Sequence, residues 1–119
     1  MPYATLDLSS GAKVTNTAKT FAIAKVTGNG TLGGDNNAWK IGNEDNFRLD
    51  ATITGNNSSL TKTGEGKMTI TANNSYSGST TVSEGELSLS SGGTLGTGVL
   101  RVNEGTILSG VTKNGACLL

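Results

Sequence analysis

The feature that most constrains this chain is a repeat in its second half. Gly64-Glu65-Gly66-Lys67-Met68-Thr69-Ile70 is echoed by Ser83-Glu84-Gly85-Glu86-Leu87-Ser88-Leu89 and again by Asn103-Glu104-Gly105-Thr106-Ile107-Leu108. In that alignment Gly66, Gly85 and Gly105 stand 19 and then 20 residues apart, and Thr80-Thr81-Val82 precedes Leu100-Arg101-Val102 by 20. Two features that share one offset mark a solenoid period. Within each unit apolar and polar residues alternate, as in Lys67 to Thr71 and Glu86 to Ser90, the pattern of a strand with one buried face. A period near 20 is too short for a helical crossover plus its strands, so the chain is expected to coil about a central axis, each strand pairing with its equivalent one turn later.

The expected fold is therefore all-β, a parallel β-helix (solenoid) with rungs of about 20 residues. Met68, Leu87 and Ile107 are expected to stack in one inward column and Ile70 and Leu89 in another, with Val82 and Val102 inward on a neighbouring strand and Gly66, Gly85 and Gly105 at corners. The composition agrees. Hydrophobic residues make up 34 % and charged residues 15 %, below the usual values of about 45 to 50 % and about 25 %. Thr, Asn, Ser and 18 Gly take up the difference, and these disfavour helices because they add backbone entropy or compete for backbone hydrogen bonds.

The first half is a weaker copy, with strand patterns at Ala4 to Leu8, Phe21 to Val26, Thr31-Leu32, Ala38 to Ile41 and Phe47 to Thr54. Gly30-Thr31-Leu32 looks like a further Gly-x-Leu corner, 36 residues before Gly66, which is two short rungs or one rung plus a loop. Asp35-Asn36-Asn37 and Gly42 to Asn46 are the expected protrusions. The expected organisation is one solenoid unit over 1–119, with irregular rungs and loop insertions over 1–58 and regular repeats over 59–119.

Leu60-Thr61-Lys62-Thr63-Gly64-Glu65-Gly66-Lys67-Met68-Thr69-Ile70, then Tyr76-Ser77-Gly78-Ser79-Thr80-Thr81-Val82, then Gly85-Glu86-Leu87-Ser88-Leu89 resembles the autotransporter-associated β-strand repeat. Its pattern is a Leu-Thr-Lys-x-Gly-x-Gly corner, an alternating strand, a Tyr-Ser-Gly-x-Thr turn and a Gly-x-Leu-x-Leu strand. The resemblance implies a right-handed parallel β-helix and a passenger segment of a secreted or surface-anchored bacterial protein. That motif carries no catalytic residue. The start, Met1 to Thr5, has no basic region followed by an apolar run and does not read as a secretory signal; the chain is either an internal fragment with an added Met, the favoured expectation, or not exported by that route.

Charge and residue types narrow the function classes further. Nine basic and nine acidic residues balance, and no Lys/Arg run exists to neutralise a row of phosphates, so nucleic acid is not an expected partner. No apolar stretch reaches the roughly 20 residues of a membrane-spanning helix. There is no His and a single cysteine, Cys117, which leaves no disulfide framework and no Cys/His metal framework. No cofactor is expected. The expected partners are the remainder of a longer passenger chain or other copies of this chain, with a host surface or a polysaccharide as further options.

Several constellations carry candidate chemistry. Gly28-Asn29-Gly30-Thr31-Leu32-Gly33 fits G-x-G-x-x-G, but Gly34 to Trp39 cannot supply the helix N-terminus a pyrophosphate needs, so corner glycines are expected. Glu65, Glu84 and Glu104 precede the corner glycines of three successive rungs, about 4.8 Å apart along the axis if stacked, where they would splay into solvent or take up Ca²⁺. Lys67 is expected to stack on Glu86. Asp35, Glu44, Asp45 and Asp50 are solvated loop residues or, alternatively, a metal loop or a pair of glycosidase-like carboxylates. Asn29, Asn56, Asn57 and Asn73 open N-x-S/T sequons that an Asn/Ser/Thr-rich chain produces by chance. Tyr3, Trp39 and Tyr76 either grip a ligand or pack, Tyr76 in a turn and Trp39 in the core or an end cap. Cys117 is misplaced for prenylation. The leading expectation is a structural or adhesive segment and not an enzyme. A self-assembling filament subunit and a carbohydrate-binding or metal-dependent carbohydrate-active module are the alternatives.

Overall fold

The computed structural model describes residues 5–8, 12–15, 20–90 and 93–109. Among them there is no helix, and parallel strands stack as a β-solenoid of about five turns. Alternating polar and apolar residues form short strands, and most of the longer corners turn the chain through Gly, Asn or Ser residues, whereas Ala24 alone and Asp50-Ala51 make two of the tighter ones. Three faces result. The first holds β1 (Thr5–Asp7), β4 (Lys25–Thr27), β7 (Phe47–Leu49), β10 (Lys67–Ile70), β12 (Glu86–Leu89) and β14 (Ile107–Ser109). The second holds β2 (Lys13–Thr15), β5 (Thr31–Gly33) and β8 (Thr52–Ile53), continued by a single parallel bridge between Asn73 and Thr94. The third holds β3 (Thr20–Ile23), β6 (Ala38–Ile41), β9 (Ser59–Lys62), β11 (Thr80–Val82) and β13 (Leu100–Val102).

Registers turn these faces into columns. On the third face Phe21, Trp39, Leu60, Thr80 and Leu100 stack, beside Ile23, Ile41, Lys62, Val82 and Val102. On the first face the order is Phe47, Met68, Leu87 and Leu108, beside Leu49, Ile70 and Leu89. On the second, Val14 faces Leu32 and Leu32 faces Ile53. Inner residues of the middle turns are fully buried, among them Leu32, Trp39, Leu60, Met68 and Leu87, whereas Leu6, Val14 and Phe21 at one end and Leu100, Val102 and Leu108 at the other are only partly buried. The gradient follows from stacking, because an end residue has a neighbour on one side only.

Two expectations need correction. Ile107 is outward and 55 % exposed, and Leu108 takes its place on Leu87. The corner before β12 has three residues, 83–85, but the corner before β14 has four, 103–106. That added residue is absorbed in a turn closed by Thr106 N donating to Asn103 O at 3.1 Å, and a one-residue shift in a strand moves every side chain to the other face. Second, Gly30 is not an equivalent of Gly66. It lies beside β5 on the second face, under Thr52, whose N donates to Gly30 O, so the 36-residue interval joins two different corners. The extents are 33 × 28 × 25 Å, since five turns rise only about 24 Å.

The first half pairs in register throughout its described strands, with offsets of 18 residues from β3 to β6 and 21 from β6 to β9. Of the expected protrusions, Asp35 and Asn36 form an exposed turn while Asn37 is buried, its Nδ2 donating to Gly33 O. Gly42 to Asn46 is a corner of the stack.

Candidate functional site

The corner between the third and first faces gathers charged groups into a concavity. Gly42, Asn43, Glu44, Asp45, Thr63, Gly64, Glu65 and Glu84 line an open groove of about 570 Å³. It exists because successive corners superpose, and their backbones approach closely. Gly64 shows how closely: its φ is 74°, and a Cβ there would sit 2.4 Å from Asn43 O.

Beneath the groove lies Lys62, which is 1 % exposed. It ends β9 in the inward column between Ile41 and Val82, so its stem runs through apolar surroundings. The ammonium turns into the corner, where Nζ donates to Thr63 O at 2.6 Å, Gly64 O at 2.7 Å and Glu84 O at 3.4 Å. Burial lowers the Lys62 pKa from its usual value, partly offset by the Glu84 carboxylate. Glu84 in turn reaches back one turn, and its Oε1 accepts from Gly64 N at 2.8 Å.

The three glutamates aligned in the sequence do not form a ladder. Glu65 and Glu84 line the groove and Glu104 does not. Corners of four, three and four residues place them at unequal points of the turn. Among the described residues no group of three His, Cys, Asp or Glu side chains comes together as a metal site. The corner glycines also differ in role: Gly85 and Gly105 have φ of 69° and 84°, while in the corner of Gly66 the positive φ belongs to Gly64. Lys67 and Glu86 are register partners, as expected.

Asp35, Glu44, Asp45 and Asp50 are dispersed over three edges. Asp35 accepts from Asn56 N at 2.9 Å between the second and third faces. Asp50 accepts from Thr71 Oγ1 and, at 3.4 Å, from Arg48 between the first and second. Only Glu44 and Asp45 reach the groove, so the four supply no paired carboxylates across a cleft. Gly28 to Gly30 is a bend leading from β4 into β5, Thr31 to Gly33 are β5 itself, and no helix follows.

The aromatic candidates pack. Trp39 is fully buried and stacks on Phe21, ring centroids 4.4 Å apart. Tyr76 is fully buried, its hydroxyl bonded to Thr80 Oγ1, and burial raises its pKa. Gly96 makes room for it one turn later: a Cβ there would lie 2.2 Å from Tyr76 O and 2.6 Å from the ring. Asn74 is buried and acts as a substitute for strand pairing. Its Oδ1 accepts from Ile53 N at 2.7 Å on one side, and its Nδ2 donates to Thr94 O at 2.9 Å on the other. Tyr3 and Cys117 lie outside the described residues.

Lys62 is the feature the residue pattern conceals, because a lysine in a polar-rich strand reads as outward. One signal was present: the 20-residue offset places Lys62 level with Val82 and Val102.

Leu60 to Leu89 comprises β9, the corner with Lys62, β10, the Tyr76 turn, β11 and β12. Residues 60–89 match the passenger-associated-transport-repeat. This match and the solenoid together fit an autotransporter passenger repeat. No curated protein and no solved structure matches the chain significantly. Among the described residues no helix is long and apolar enough to cross a membrane.

Proposed function

We propose that this chain is a structural and adhesive segment of a secreted or surface-displayed bacterial passenger, without catalytic activity of its own. The observation that carries the reading is the coincidence of the passenger repeat at 60–89 with somewhat more than one turn of a parallel solenoid. A passenger stack works by rigidity. Nearest-neighbour rung contacts hold it together, and its outward positions, such as Thr61, Thr69, Thr81 and Ser88, offer hydroxyl groups to a partner. A segment about as tall as it is wide makes a rod only when further turns stack on it, which supports a neighbouring part of a longer passenger as its immediate partner. A host surface or polysaccharide is the partner proposed for the outward faces.

The test is display. The chain, placed between a signal peptide and a membrane barrel, is expected to reach the cell surface and resist added protease as a folded block, and to confer retention on a host-cell or polysaccharide surface. Export with rapid proteolysis would overturn the structural reading, and display without retention would overturn the adhesive one. Self-association into filaments is the second reading, supported by the partly buried apolar residues at both ends of the stack. A particle size independent of concentration in light scattering would refute it.

A further inference from the structure

The groove holds an arrangement that the repeat alone does not explain. Gly64 is gripped from both sides: its C=O accepts from the Lys62 ammonium and its N–H donates to the Glu84 carboxylate. Lys62 precedes this corner and Glu84 stands in the next one, so opposite charges from successive turns meet on the backbone of one residue, and on the Thr63–Gly64 peptide group itself, whose Thr63 O also accepts from Lys62 Nζ. We infer that Lys62, Gly64 and Glu84 form a cross-turn clasp that couples the first three turns to the rest of the stack, with Lys62 as the built-in counter-ion of the acidic groove.

Two further observations place the clasp where coupling is needed. On the second face the continuous ladder ends at β8, and the next turns are joined by Ser75 N donating to Ile53 O at 3.0 Å, by the Asn74 side chain and by the Asn73–Thr94 bridge. One face of three is therefore held by isolated hydrogen bonds and not by a strand ladder at the same level as the clasp. In a solenoid, cooperativity passes only through such nearest-neighbour contacts. Second, Glu44, Asp45, Glu65 and Glu84 line the groove, so its wall carries acidic groups and no basic one. The Lys62 ammonium sits below them with three carbonyl acceptors, the satisfaction a buried cation requires.

Buried charges often add little net stability while fixing an arrangement, so the readout must be local. Hydrogen exchange of the Gly64 amide supplies it, with the Met68 amide as internal reference, in Lys62→Met, Glu84→Gln and the double variant. Each single change is expected to speed Gly64 exchange roughly fivefold to tenfold, the charge-assisted share of a hydrogen bond that a Gln carbonyl still makes in neutral form. The double variant should exchange no faster than the faster single one. Should Lys62→Met fail to fold, Glu84→Gln decides alone, because Glu84 is exposed and its loss leaves the core intact. Unchanged Gly64 exchange in Glu84→Gln, or effects that multiply in the double variant, would overturn the clasp.

Discussion

Truncating Leu87 tests the inward column at its centre. The side chain is fully buried between Met68 and Leu108, and Leu→Ala removes three carbon groups, about 2.4 kcal/mol at about 0.8 kcal/mol each. The cavity adds to this, because neighbours in adjacent turns relax only partly, bringing the expected loss to about 3 to 4 kcal/mol. For a chain of this size that lowers Tm by roughly 10 to 15 °C. Thr81, outward on the third face between Thr61 and Arg101, is the control: Thr81→Ala should stay within about 0.5 kcal/mol. Ile107→Ala separates the two possible registers. With Leu108 inward and Ile107 outward, truncating Ile107 should cost well under about 1 kcal/mol, and truncating Leu108 more. The assay is urea unfolding followed by far-ultraviolet circular dichroism, with the melting curve as a second reading. If Ile107→Ala proved as costly as Leu87→Ala, the reasoning from corner length would be refuted.

Three further outcomes are expected. Gly96→Ala should lower stability by about 3 kcal/mol or more, because its Cβ collides with backbone and ring of Tyr76 in a packed core; Gly105→Ala, where nothing lies within 4 Å, should cost only about 1 kcal/mol for its positive φ, and equal melting temperatures would contradict the collision. The alkaline pH profile should have two limbs. Burial lowers the Lys62 pKa from 10.5, so the folded chain binds fewer protons than the unfolded one below that value and stability rises with pH there. Burial raises the Tyr76 pKa above 10.0, so stability is lost as pH climbs beyond 10.0 toward the folded value. Lys62→Met should flatten the first limb and Tyr76→Phe the second in pH-dependent urea titrations. Added calcium or chelator should leave Tm unchanged, because Glu65, Glu84 and Glu104 do not converge, and a calcium-dependent rise of several degrees would show otherwise.

Much of the fold was legible because period and alternation were both present in one stretch. The offsets that align Met68 with Leu87 and Val82 with Val102 are written directly in the residues. What the pattern concealed depends on corner length and on polar residues turned inward. Matching Gly85 with Gly105 puts Ile107 in the core, and only the fourth corner residue reveals the shift. In the first half Gly30-Thr31-Leu32 imitates the corner of Gly66, since Gly-x-Leu suits any corner that needs a small residue before an inward one. The 18-residue offset between β3 and β6 also departs from the later spacing. The groove was half visible: its glutamates stand out by their repeat position, but nothing in their residue types marks Lys62, Asn74 and Thr80 as buried. They are buried because each finds hydrogen-bond partners inside, information that spacing alone does not hold.

The central claim is that strands pair in parallel with residues 18 to 21 positions away. Nuclear Overhauser contacts in the uniformly labelled chain measure this directly. Backbone contacts linking Met68 with Leu87, Leu87 with Leu108 and Thr61 with Thr81 are predicted, whereas close α-proton pairs between strands adjacent in sequence, the signature of antiparallel hairpins, would contradict the solenoid.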